Sequence, residues 1–111
     1  MTLLNVAALS LLAFATILTG TWQVTSVNSD GSPIKAEMKI DESAALKVTL
    51  ALEGNPVEVK KASREKDTLT LVLNVDENEV TVKVQLKDAN TLEGTWSVPS
   101  GESAPVKAVR Q

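Results

Sequence analysis

The feature that most constrains this chain is an alternation of apolar and polar residues that runs from Thr19 nearly to the C-terminus. Apolar side chains recur at every second position, which is the period of a β-strand with one buried face. Turn-forming residues (Asn, Asp, Gly and Pro) interrupt the alternation at intervals of about eight to twelve residues. The pattern therefore divides the chain into eight short strands joined by hairpin-length turns.

The connections between these strands decide how the sheet is arranged. Residues 69–75 and 80–86 each alternate, and only the short polar run 76–79 separates them. Parallel strands need long crossovers, so strands joined by such short turns pair in an antiparallel meander. An open meander would leave two exposed edges, and closure into a barrel removes both. The sequence predicts an all-β fold, an eight-stranded antiparallel up-and-down β-barrel.

The side chains predicted to face inward are almost all Val, Leu and Ile, together with Met38 and the two tryptophans. An eight-stranded barrel is just wide enough for packed side chains or for one small ligand. This inward set suits a packed core or an apolar slot, and it offers no fixed polar group that would orient a specific ligand. The interior residues predicted to contact a small apolar ligand are Met38, Leu50, Leu71 and Val82.

A repeated segment contains both tryptophans: residues 18–24 read LTGTWQV and residues 92–98 read LEGTWSV, with five of seven positions identical. Glycine lets a large indole pack close to a neighbouring strand, and a buried Trp can fill a barrel end. The first and seventh strands of such a barrel both flank the eighth and run the same way. We therefore expect both tryptophans at one end, as a structural plug formed by Gly20, Trp22, Gly94, Trp96 and Arg110.

The Gly20-Thr21-Trp22 motif at the start of the first strand, with Arg110 on the last, resembles the calycin group, which includes lipocalins and avidins. The later LEGTW run is similar to small lipocalin-like domains of secreted bacterial proteins. The resemblance covers residues 19–111 and implies that the Trp lies across the closed end of the barrel with the Arg packed over it. It does not extend to biotin binding, because this chain has no Tyr and its inward set lacks the polar groups of avidins.

The N-terminal segment differs from the rest of the chain. Residues 3–18 (LLNVAALSLLAFATIL) carry no charge, and the small-x-small pattern Ala13-Phe14-Ala15 is typical of a signal peptidase site. We expect a signal peptide over residues 1–15, a mature domain of residues 16–111, and export to the periplasm or the extracellular space. No Lys or Arg precedes the apolar run, so a membrane anchor formed by residues 3–18 and an apolar helix packed on the domain remain alternatives.

Composition excludes several classes of function. The net charge is −3, whereas nucleic-acid binding needs a concentrated basic surface. The chain has no His and no Cys, which removes cysteine nucleophiles, histidine bases, His/Cys metal sites and disulfides. The acidic turns 28–31 and 76–79 lack the spacing of a calcium loop. We predict no metal, no cofactor and no enzymatic activity.

One basic cluster occurs, Lys60, Lys61, Arg64 and Lys66, and acidic residues interleave with it. A charged strand face is an ordinary guard against edge pairing, so the cluster is predicted to be solvated.

The function expected from the whole sequence is a non-catalytic binding or accessory role. The partner is either a small apolar ligand in the barrel or a protein on its surface. The alternative is a secreted protease or lysozyme inhibitor that uses residues 16–19 as an arm.

Overall fold

In the computed structural model, which describes residues 17–111, eight β-strands close into one antiparallel barrel. Each strand pairs with the next along the chain, and the last pairs with the first. The predicted eight-stranded up-and-down β-barrel is confirmed. The strands are β1 (Gly20–Val27), β2 (Pro33–Asp41), β3 (Lys47–Leu52), β4 (Asn55–Glu65), β5 (Thr68–Val75), β6 (Asn78–Asp88), β7 (Thr91–Ser97) and β8 (Ser103–Arg110).

The apolar N-terminal segment lies almost wholly outside the described residues. The predicted signal peptide, residues 1–15, belongs to that part, as do all but the last two residues of the proposed anchor, 3–18. Within residues 17–111, no helix is long and apolar enough to cross a membrane. The signal peptide, the anchor and the packed helix therefore stay predictions.

The alternation in the sequence becomes an inside and an outside of the barrel. In β2, Ala36, Met38 and Ile40 are buried, and Lys35, Glu37, Lys39 and Asp41 between and beside them are exposed. The same division holds around the barrel, so the inward side chains of all eight strands meet in one core. Burial of this apolar surface is the main force that holds the strands in register.

The two ends of the barrel are built from different segments. We call the end with the β1–β2, β3–β4, β5–β6 and β7–β8 turns the open end. We call the other end, which holds residue 17 and the C-terminus, the closed end. Two open-end turns place non-glycine residues at positive φ, Glu53 at 50° and the pair Asp76 and Glu77 at 51° and 68°. Positive φ at both central residues is the geometry of a two-residue hairpin that follows the twist of its strands.

A β-bulge in β4 changes which residues face inward. Val59 pairs with Leu73 on β5, but Val72 pairs with Lys61, so one extra residue is inserted in β4. Beyond the bulge Arg64 is half-buried at the closed end, whereas Lys60, Lys61 and Lys66 are exposed. The prediction of a fully solvated basic face is therefore wrong for Arg64, because the bulge reverses the alternation after Lys61.

Candidate ligand-binding cup

The closed end is filled by a short segment, residues 17–19, which we call the N-terminal strap. Leu18 is 1 % exposed and sits beneath Trp22, which is 0 % exposed. The indole Nε1 of Trp22 donates a hydrogen bond to the Leu18 carbonyl at 2.9 Å. The guanidinium carbon of Arg110 lies 4.4 Å from the Trp22 ring centroid, within range of a cation–π contact. Leu18, Trp22 and Arg110 thus pack together at this end.

Arg110 also fastens the strap to the last strand. Its Nη2 donates to the Ile17 carbonyl at 2.7 Å, and its Nη1 donates to the Thr19 carbonyl at 2.9 Å. Gly20, next to the strap, has φ +144°, and a Cβ there would lie 3.2 Å from Arg110 Nη1. Glycine at position 20 therefore permits both the backbone turn and the approach of the arginine.

A half-buried ion pair holds the other side of the strap. Arg64 Nη1 donates to both carboxylate oxygens of Glu42 at 2.9 Å, and the two side chains are 19 % and 22 % exposed. Glu42 Oε1 also accepts a hydrogen bond from the Leu18 amide at 2.7 Å. The carboxylate thus satisfies a backbone N–H that faces the barrel end, where a lost partner would be costly.

The second Gly-Thr-Trp copy lies at the opposite end of the barrel. Trp22 pairs with Arg110 on β8, but Trp96 pairs with Ala104, six positions earlier on the same strand. At about 3.4 Å per residue, six positions correspond to roughly 20 Å along the strand. The prediction that both tryptophans form one plug with Arg110 between them is wrong. The first and seventh strands do flank the eighth, but the motif begins β1 and ends β7.

Trp96 stands in the wall of a cup that opens at the open end. The cup has a volume of about 750 Å³. Its wall is mainly apolar and includes Val24, Leu50, Leu52, Val80, Trp96 and Val106. Cavities of this size and composition are typical of small-molecule sites.

Hydrogen bonds fix the orientation of the Trp96 indole. Its Nε1 donates to Ser26 Oγ at 2.9 Å, and the Ser26 hydroxyl donates in turn to the Pro105 carbonyl at 2.6 Å. The indole N–H therefore has its hydrogen-bond partner within the wall of the cup. The half-buried ring belongs to the lining of the cup.

Acidic residues from two of the open-end loops line the mouth of the cup. Asp76, Glu77 and Glu79 come from the β5–β6 hairpin, and Glu102 comes from the β7–β8 loop. Glu79 Oε1 is 3.6 Å from Lys60 Nζ, an exposed pair. In the β1–β2 turn, hydrogen bonds from the Ser32 hydroxyl and amide lower the pKa of Asp30. Asp30 therefore serves to hold that turn.

The four residues predicted to contact a ligand lie at different depths in the barrel. Leu50 lines the cup. Met38 and Leu71 are 3 % and 2 % exposed in the packed core, and Val82 packs against that core. The alternation could not separate these positions, because it indicates which residues face inward but not how far each lies from the open end. Ser26 was missed altogether, since a small polar residue on an inward position gives no apolar signal.

The fold and the cup define the chain as a small closed eight-stranded antiparallel β-barrel. A redesigned β-barrel is similar in structure, with a TM-score of 0.68, 22 % sequence identity, and coverage of 85 % of this chain and 91 % of that one. A de novo designed fluorescence-activating β-barrel is also similar, with a TM-score of 0.63, 16 % identity, and coverage of 85 % and 94 %. These likenesses show the fold alone. No protein-family model matches the sequence, and no curated protein matches it.

Proposed function

We propose that this protein is a non-catalytic binder that holds a small apolar molecule in the cup at its open end. The observation that carries the proposal is the cup itself, about 750 Å³ with a mainly apolar wall. A filled interior would have left no room for a ligand, whereas here apolar side chains of the open end line a cavity. The proposed role involves binding alone, with no bond made or broken.

The expected affinity follows from the apolar surface that a ligand could bury. A ligand that buries about 300 Å² of apolar surface gains roughly 7.5 kcal/mol at about 25 cal/mol per Å². Loss of translational and rotational freedom offsets part of this gain. The apolar gain alone corresponds to a dissociation constant of about 3 µM, so after this offset we expect weaker binding, from about 10 µM to a few mM, for simple apolar molecules.

An environment-sensitive dye tests the proposal directly. One structurally similar barrel is described as fluorescence-activating, which makes a dye a natural first probe. We expect the neutral dye N-phenyl-1-naphthylamine to bind with a rise in emission. Replacement of Leu52, in the cup wall, by Gln should weaken this binding by about five-fold, because the ligand then faces an amide.

The matched control is Leu46→Gln, at the closed end. Leu46 is also half-buried but packs against the core away from the cup. Urea titrations give the free energy of unfolding of both variants. They show whether a loss of dye binding comes from a loss of stability. Equal dye binding by both folded variants would exclude the cup as the site.

We further propose that the barrel is lipocalin-like and exported, with residues 1–15 removed. The position of the strap supports this, since cleavage after Ala15 would leave Ile17 and Leu18 in place. Mass spectrometry of exported protein tests it, and a mature chain that still contains residues 1–15 would contradict it.

The inhibitor hypothesis gains no support from the strap, because residues 17–19 are bonded to the barrel. A protein partner on the surface stays a prediction.

A further inference from the structure

Charge is unevenly distributed at the mouth of the cup. Asp76, Glu77 and Glu102 are exposed there, and the β5–β6 hairpin places the first two side by side. The charge of Glu79 is offset by Lys60, which pairs with it. Among residues 17–111, no Lys or Arg side chain lines the cup. A ligand that enters this mouth therefore meets negative charge that no basic lining residue balances.

The Trp96 indole adds a second feature that favours positive charge. The π-face of an indole attracts cations, most strongly where water is partly excluded. Hydrogen bonding to Ser26 holds the polar edge of the ring in the wall. The ring and the carboxylates line the same cup, so an apolar body could occupy the wall region while a charged group stays near the mouth.

We propose that the cup selects apolar molecules that carry a cationic group, such as alkyl or aromatic ammonium compounds, over neutral and anionic analogues. This selectivity rests on the proposed function of the cup as a binding site. The apolar wall supplies affinity for all three kinds of molecule. The carboxylates at the mouth attract the cation, leave a neutral group unaffected and repel an anion.

The size of the preference depends on solvent screening, because the carboxylates are exposed. We expect the cation to bind about five- to ten-fold more tightly than its neutral analogue at low salt. At high salt the Debye length shortens to a few ångströms, and the preference should fall to about two-fold or less. Affinity for the neutral analogue should change little over the same range.

The experiment is displacement of N-phenyl-1-naphthylamine by three molecules with the same chain. These are decyltrimethylammonium, decanol and decyl sulfate, each kept below the concentration at which it forms micelles or separates. The expected order of potency is ammonium, then alcohol, then sulfate. Equal potency of the three while the dye binds would overturn the selectivity and leave the proposed function intact. No binding of the dye would overturn the binding site and the selectivity with it.

Two double variants locate the source of the preference. Asp76→Asn with Glu77→Gln removes two negative charges at the mouth, and Glu65→Gln with Asp67→Asn removes two at the closed end. All four side chains are exposed, so both variants should fold. We expect the mouth variant to lose most of the preference and the closed-end variant to keep it, with each displacement series referred to that variant's own affinity for the dye. Equal loss in both, or no loss in the mouth variant, would overturn the assignment to the mouth.

Discussion

The two glycines of the repeated Gly-Thr-Trp segment serve different physical purposes. Gly20 accommodates a positive φ and the approach of Arg110. Gly94 has no such φ, but a Cβ there would overlap the Lys83 carbonyl oxygen and lie 2.7 Å from Val84 Cα. Backbone atoms of a strand that is paired on both sides cannot move aside as a flexible side chain can. The requirement for glycine at position 94 is therefore one of close approach between β7 and β6.

We predict that Gly94→Ala lowers the free energy of unfolding by about 2–3 kcal/mol, the cost of forcing packed strands apart. Urea denaturation measures the change. The control is Gly101→Ala in the exposed β7–β8 loop, where φ is +102° and no atom lies within 4 Å of an added Cβ. It should cost about 1 kcal/mol, from backbone strain alone. A smaller loss for Gly94→Ala than for Gly101→Ala would contradict the clash.

The burial of Leu18 gives a second prediction at the scale of single residues. Leu18→Ala should cost about 2–5 kcal/mol, because it empties a fully buried site beneath Trp22. The neighbouring Ile17 is 68 % exposed, so Ile17→Ala should cost under about 0.5 kcal/mol. Thermal and urea unfolding compare the two variants. Equal losses would mean that the strap is not inserted in the barrel end.

The β4 bulge is the feature that most affects a whole element. It lies between Val59 and Lys61, and it allows both Val59 before it and Ala62 after it to face inward. Deletion of Lys61 would restore a regular ladder and keep both residues inward. Deletion of Ser63 would leave the bulge in place and turn Arg64 outward, away from Glu42. The two deletions remove one residue each but differ in which side chains they expose.

We predict that deletion of Ser63 costs at least about 2 kcal/mol more than deletion of Lys61, because it breaks a half-buried ion pair and leaves Glu42 without its arginine. Urea denaturation of the two deletion variants provides the comparison. A greater loss for the Lys61 deletion would show that the bulge itself, through the bend it gives β4, is what the barrel requires.

Sequence reasoning predicted the number and order of the strands because burial on one face leaves a period of two. It did not predict the bulge, although Lys60-Lys61 followed by Ala62 is a break in the alternation that marks it. The prediction that the two tryptophans share one end was wrong, because the motif lies at the start of β1 but at the end of β7. The depth of Met38 and Leu50 in the barrel depends on register, which hydrophobic periodicity does not encode.

Across the whole molecule, the two ends of the barrel have opposite character. At the closed end, Trp22, Arg110 and Glu42 each bond to the strap. At the open end, apolar side chains face a cup and carboxylates face solvent. Local stability follows the density of buried contacts. We therefore expect the strap to contribute to the stability of the closed end, while the proposed binding cup lies at the other end.

The last prediction follows from this division. A chain that starts at Thr16 retains the strap and should match the full chain in free energy of unfolding. A chain that starts at Gly20 should lose about 3–5 kcal/mol, since it exposes Trp22 and removes the hydrogen bonds that Glu42 and Arg110 make to the strap. Because the strap is far from the cup, the shorter chain should still bind N-phenyl-1-naphthylamine wherever it remains folded. Urea denaturation and dye titration measure the two properties separately. Equal stability of the two chains would show that the strap only covers the closed end. Loss of dye binding by the folded shorter chain would show that the two ends are coupled.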